Sequence, residues 1–419
     1  MPNERKFTTL TGRLSSLFDR FQPVFDRIRE GAIEREIERT LPVDAIELLR
    51  ESGFGRLRVP TEFGGFGVTV DELAALLIEL ASADSNLPQA LRGHIGFTEY
   101  VLAHPDASYR ELWFRRLVDG ALVGNAESER TGTFGNLSTT VTKTEKGWQL
   151  NGTKYYTTGS IYADWILVSA ALNDPDEPEA VRAVVQVSTS ALGVTVLDDW
   201  DGFGQRLTGS GTTEFVDVEV DPRFVDPRRA EDSGQTVLHA VYQLVHLATL
   251  AGLAQAALAE ITIFVKGRSR NLFNPAIAPN EDPVALQVIG ETFGSVETVK
   301  ASVLAAAATV DAVSARQLRG EATGDDFARA EAHVFGVQAT VIDIVLRLAS
   351  RIFEVGGASA TAESRRLDRI WRNARTVASH NPAIYRQQAV GDYVVNGVAP
   401  SARTGALLSA RPAQTSTVS

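Results

Sequence analysis

Apolar residues recur at helical spacing through most of the first 120 residues. In "VDAIELLRESGFG", Val43, Ile46, Leu48 and Leu49 follow a helical period, Pro42 stands just ahead and Gly53 supplies a stop. "TVDELAALLIELASAD" repeats the pattern, with Thr69 or Asp71 as its cap and acids in the first turn, where they complement the helix dipole. At about residue 121 the period shortens. "TTVTKTEKGWQLNGTKYYTTGS" holds short β-prone runs broken by Lys146-Gly147 and Asn151-Gly152, and an Asn-Gly pair predicts a tight hairpin turn. "DWILVSAAL", "AVRAVVQVS", "GVTVLDDW" and "GTTEFVDVEVDP" continue as short strands divided by Gly, Pro and Asp. From about residue 234 the helical period returns in three long Ala-rich segments, which predict close antiparallel packing in a bundle. Their apolar surface exceeds what one bundle buries, so a homo-oligomer is expected; a homotetramer is the particular form anticipated. The pattern divides the chain into a helical region (1–120), a β region (121–233), a helical bundle (234–397) and a Ser/Thr/Ala/Pro-rich tail (398–419), expected to be flexible or draped on an interface.

Composition narrows the chemistry. The chain has 419 residues, 44% of them hydrophobic, and no cysteine, which excludes disulfides, thiolate metal sites and cysteine nucleophiles. Its six histidines show no paired metal-binding spacing, so no metal is expected. A net charge of -11 without a basic tract argues against nucleic acid. With no apolar run of 18 residues and no apolar leader, neither a membrane span nor secretion is expected, and the cytoplasm is the default location. An organic cofactor, or catalysis by carboxylate, histidine and hydroxyl groups alone, remains.

Five segments in order carry a resemblance. They are "LRVPTEFGGFGVTVDELAALLIELASADSN", "LVDGALVGNAESE", "GWQLNGTKYYTTGSIYADWILVSA", "DGFGQRLTGSGTTEFVDVEVDP" and "FEVGGASATAESRRLDRIWRNAR". Together they resemble the acyl-CoA dehydrogenase family from about residue 40 to 395. The resemblance implies an α+β fold: an N-terminal helical domain, a middle β-barrel or sandwich domain and a C-terminal four-helix bundle. The dehydrogenases place a glutamate shortly after their "RD.R" motif to remove the substrate's α proton. Here "RNARTVASHNPAIY" has no carboxylate between Arg372 and Tyr385, and without a base that step has no agent. "VGGASATAESRRLDRIWRNARTVASHNP" instead resembles the monooxygenase branch of the family, which acts on sulfur or nitrogen compounds.

That branch implies a two-component enzyme. Reduced FMN, supplied by a separate flavin reductase, reacts with dioxygen to a C4a-hydroperoxide that oxygenates a small-molecule substrate. FAD is the alternative cofactor. An acyl-CoA dehydrogenase using Glu260 or Glu354, and a flavin-binding homologue without turnover, are the competing readings. The resemblance further implies that Asn125, Ser128, Tyr156, Thr157, Thr158 and Ser160 face the flavin ring, with Asn125 also catalytic. Arg206, Ser210 and Arg270 are cofactor-binding candidates, Arg270 for phosphate across a subunit interface. Gly356 and Gly357 stand where the dehydrogenases approach the adenine half of FAD. His94 is a candidate for the substrate pocket, set against a satisfied core histidine, with Phe97 and Tyr100 beside it. His380 is the candidate partner of the peroxide, on the argument that an imidazole titrates near neutrality. Its competitor is a role as cap of the turn "SHNP".

Overall fold

The computed structural model describes residues 12–130, 137–145, 147–176, 182–228, 236–271 and 274–401. The predicted tail lies almost wholly outside them.

Seven helices precede the first strand: α1 (Gly12–Glu30), α2 (Ala32–Glu38), α3 (Val43–Ser52), α4 (Val70–Ala83), α5 (Asn86–Ala90), α6 (Arg92–Ala103) and α7 (Ala107–Val118). Helix α3 begins directly after Pro42 and ends on Gly53 in the left-handed region, the stop its sequence predicts. At α4, Thr69 is the cap: its side chain accepts from the Glu72 amide while Glu72 reaches back to the Thr69 amide. This reciprocal box satisfies two helix-end donors at once.

Eight strands follow: β1 (Val123–Ala126), β2 (Thr140–Thr144), β3 (Gly147–Lys154), β4 (Trp165–Asn173), β5 (Arg182–Ser188), β6 (Val194–Val196), β7 (Thr213–Val220) and β8 (Val225–Arg228). They form one mixed sheet in the order β6-β7-β3-β2-β4-β5-β8, and β1 pairs parallel to β4. Strands β1 and β2 share one edge of β4, β1 along Trp165–Val168 and β2 along Ala171–Asn173. The Asn151-Gly152 pair makes no turn. It lies within β3 at a bulge, with Gly152 at φ 143, and a Cβ there would meet the Thr139 backbone at 2.5 Å. Close approach to Thr139 therefore accounts for the glycine, and the β2–β3 pairing closes at Thr144 and Gly147.

The C-terminal region packs α8 (Leu238–Lys266), α9 (Pro283–Leu318), α10 (Gly324–Arg351) and α11 (Asp368–His380) together, with α12 (Ala383–Asn396) against α10. Helices α8 to α10 are each long and apolar enough to cross a membrane by length and composition. In this fold much of that character goes into packing: α8 contributes 18 buried residues, including Val241, Leu244 and Val245. Helix α4 lies along α8, so the N-terminal helices and the bundle share one core. The sheet has a second core, built with α7 around Trp113, Trp165 and Phe224.

Candidate functional site

The first turn of α6, the second and third turns of α8, the end of β1 and the last residue of α11 converge. Arg92 opens α6, Glu127 follows β1, Tyr242 and His246 lie one turn apart on α8, and His380 ends α11. Helix α6 reaches α8 because residue 96 is glycine: a Cβ there would meet the Tyr242 ring at 2.1 Å.

Arg92 Nη2 donates to His380 Nε2 at 3.1 Å, and its guanidinium lies 4.9 Å from the centre of the Tyr242 ring. Arginine has no acceptor, so His380 Nε2 is unprotonated and the imidazole proton resides on Nδ1. The His380 and His246 rings are 4.5 Å apart. Enclosure by protein and the neighbouring Arg92 charge push the His380 imidazole down to about 3. The expectation of an imidazole titrating near neutrality is thereby corrected: at pH 7 His380 is a neutral hydrogen-bonding group. His246 is driven well below its ordinary value by burial, by His380 and by Arg92. Burial raises Tyr242 to about 12.

His380 and Glu127 are exposed while Arg92 and His246 beside them are buried, so the cluster opens to solvent on one side as a cleft. Burial pushes the Glu127 carboxyl up, against the pull of Lys154 and Arg182. The turn after α11 is held by its neighbour: Asn381 Nδ2 donates to Gln243 Oε1 at 3.1 Å, and Gln338 Nε2 donates to the Asn381 carbonyl at 2.8 Å. Asn381 anchors "SHNP", and the His380 ring also interacts with the Asn381 side chain and with its own backbone.

His94 stands one residue beyond Gly93 on the same helix but faces elsewhere. Its Nε2 donates to the Gly55 carbonyl at 2.6 Å and its Nδ1 accepts from the Val123 amide at 3.3 Å. At 3% exposure, with both nitrogens bonded to backbone, it ties the loop after α3 to β1 and has no atom left for a substrate. Phe97 is buried beside Trp113, and Tyr100 bonds Asp226; both belong to the sheet core.

The flavin candidates form a second group beside the cleft. Asn125 is buried, and its Oδ1 has no hydrogen-bond partner. Thr157 bonds the Gly211 carbonyl and Thr213, Thr158 bonds Ser210, and Ser160 donates to the Asn125 carbonyl. These hydroxyls brace the loop. Tyr156 is 46% exposed at φ 59, its ring edge-on to Trp200 at 6.0 Å. Ser128 is exposed and pairs through its backbone with Tyr155. Arg206 Nη1 donates to the Glu36 carbonyl at 3.1 Å.

Arg270, Gly356 and Gly357 lie elsewhere. Gly356 packs against Phe264 and Arg268 bonds Val355, both at the C-terminal end of α8, and Arg270 is exposed just beyond it. Tyr242 and Lys266 stand 24 residues apart on that helix, roughly 36 Å along its axis. Glu260 is ion-paired with Arg369 and Glu354 is exposed beside Gly356; neither carboxylate is at the cleft.

No sequence motif marks Arg92, Glu127, Tyr242 or His246. One signal was available: Tyr242, Gln243 and His246 are polar residues within the most continuously apolar helix of the chain.

Three family models match in order: acyl-CoA dehydrogenase N-terminal domain over residues 22–121, middle domain over 124–218 and C-terminal domain over 244–383. The chain is 29% identical to dibenzothiophene monooxygenase of Rhodococcus erythropolis over 387 residues, 90% of this chain and 92% of that protein. It is 30% identical to L-evernosamine nitrososynthase of a Micromonospora species over 395 residues, 90% of this chain and 88% of the relative. The crystal structure of FMN-bound TdsC from Paenibacillus sp. A11-2 superposes with a TM-score of 0.85 at 26% identity, covering 92% of this chain and 98% of TdsC.

Proposed function

The chain belongs to the acyl-CoA dehydrogenase family, and from that premise we propose that it is an FMN-dependent monooxygenase of a small sulfur or nitrogen compound. The observation that carries this reading is the likeness to an FMN-bound chain over nearly the whole length of both.

The residues present fit a flavin. The buried Asn125 Oδ1 lacks a donor, and a ring N–H would supply one. Tyr156 holds an exposed ring beside the half-buried Trp200 in a left-handed backbone conformation that costs about 1 kcal/mol or more, and an exposed aromatic ring suits the face of a planar cofactor. Ser128 offers an exposed hydroxyl at the rim.

Reduced FMN, when bound, supplies two electrons and activates dioxygen, so that one oxygen atom enters the substrate and the other leaves as water. The chain's own residues hold the cofactor, exclude bulk water and order the cleft. His380, neutral and bonded through Nε2 to Arg92, carries its proton on Nδ1 beside the Asn381 side chain and its own backbone, and so orders the cleft without adding charge. A separate reductase would deliver the reduced flavin, and the cytoplasm suits such a pair.

Arg270, Gly356 and Gly357 can serve the same cofactor only from a second copy, because the length of α8 separates them from the cleft. The exposed Val284, Leu286 and Phe293 of α9 and Ile263 of α8 give a second copy an apolar surface, and a homotetramer is the assembly we propose.

The test supplies enzymatically reduced FMN and isotopically labelled dioxygen with a panel of thioethers, sulfinates and amines. One labelled oxygen atom per product is the expected result. No labelled product, together with bleaching of bound oxidised flavin by an acyl-CoA, would overturn the reading in favour of a dehydrogenase.

A further inference from the structure

The cleft contains cationic and polar groups that the protein leaves uncompensated. Arg92 is 8% exposed, yet no ion pair to a carboxylate forms on it among the described residues; its partners are the neutral His380 and the Tyr242 ring. Its Nε has no hydrogen-bond partner. His246 is 1% exposed and neither of its ring nitrogens has one. Arg386 of α12 adds a second positive charge within electrostatic reach of His246. Glu127 is near enough to act on Arg92 electrostatically, but it does not pair with it.

Other buried arginines of this chain are treated differently. Arg58 is bonded to Glu99 and Arg35 to Asp84 at 3.1 Å. A lone desolvated guanidinium costs several kcal/mol unless an anion meets it, and an orphaned buried imidazole adds to that cost.

We propose that the cleft binds the head group of a small organic oxyanion, a carboxylate or a sulfinate or sulfonate, on the fork of Arg92, with His246 donating a further hydrogen bond and the oxidisable sulfur or nitrogen of the molecule directed toward the flavin. The proposal deepens the monooxygenase reading and rests on it for the identity of the anion as substrate. Two oxygens of such a head match the planar guanidinium. Neutral His246 can place its one N–H on the anion without a competing protein acceptor. Uncharged thioethers and cationic amines, by contrast, would leave Arg92 buried and unpaired.

Calorimetric titration of the FMN-supplemented protein with benzoate against benzamide, and with benzenesulfinate against methyl phenyl sulfoxide, tests this. At least one anion binds ten-fold or more tightly than its neutral counterpart, and which pair shows the larger ratio identifies carboxylate or sulfur oxyanion. Arg92→Met weakens that anion by about 10- to 100-fold, whereas Arg92→Lys keeps part of the affinity. Equal binding of anion and neutral partner in both pairs overturns the proposal, and does so even if Arg92→Met fails to fold. A parallel fluorescence titration of FMN guards the assignment: if Arg92→Met weakens FMN as much as the anion, the guanidinium serves the cofactor and the proposal falls. Tight anion binding, with no labelled product from the substrate panel and bleaching of bound flavin by an acyl-CoA, would leave the anion site standing and remove the monooxygenase reading.

Discussion

His94 and His246 are both buried histidines near the cleft, 3% and 1% exposed, and burial pushes both imidazoles toward the neutral form. His94 has a backbone partner on each nitrogen; His246 has none. The buried arginines divide the same way, Arg58 holding Glu99 while Arg92 holds no carboxylate. Burial therefore does not separate scaffold from site in this molecule. For these two pairs satisfaction does, since an unmet buried polar group costs about 1–3 kcal/mol, although the scaffold keeps orphans of its own, such as Trp113 Nε1.

Stability separates the two arginines most strongly. Glu99→Leu strands the Arg58 cation in the core, and a loss of about 3–5 kcal/mol in urea denaturation is expected. Arg92→Met removes a cation that is already unpaired, so its change should stay within about 1 kcal/mol or be a gain. Similar losses in the two variants would show that Arg92 is scaffold after all. The histidines give a smaller version. His94→Leu orphans the Gly55 carbonyl and the Val123 amide and should cost about 2 kcal/mol, whereas His246→Leu should be neutral or stabilising by thermal melting.

Proton linkage sharpens the same contrast. His246 and His380 have folded-state values below that of an unfolded histidine, about 6.5. The unfolded chain then binds protons that the folded chain refuses, so stability rises with pH across this window. The contribution is complete above about pH 6.5 and is lost progressively as pH falls toward 3, the His380 value. Melting temperature measured from pH 7.5 to 5 should fall for the wild type, and His246→Leu should flatten the slope. An unchanged slope in that variant would mean that the cleft histidine is not held neutral by the fold.

What the sequence made legible follows from range. The period of α3, the Thr69 box of α4 and the long bundle helices are local patterns, and each reads within about a turn or two of chain. Asn151-Gly152 misled because the same dipeptide serves a hairpin turn and a bulge, and only the approach of Thr139, twelve residues earlier, distinguishes them. The site is less local still: Arg92 and His380 are 288 positions apart. His94 drew attention as a lone histidine, while Arg92, two residues before it, looked like one of 35 arginines. No pattern in one dimension shows that an arginine lacks a carboxylate.

The smallest effect concerns Tyr156, whose left-handed backbone belongs to the site rather than to the core. Glycine at this position relieves about 1 kcal/mol of backbone strain, but it also loosens the unfolded chain by about 0.5–1 kcal/mol relative to a residue with a Cβ. The two nearly cancel, and the melting temperature of Tyr156→Gly should move little. Cofactor binding should not be so indifferent, because the substitution removes the exposed ring that stands edge-on to Trp200. A fall of about ten-fold in FMN affinity by fluorescence titration is expected, roughly the value of one aromatic contact. Unchanged affinity would detach Tyr156 from the cofactor and leave its strained conformation to the loop that Thr157 and Thr158 brace; a large loss of stability would instead place the ring among the scaffold groups that His94 exemplifies.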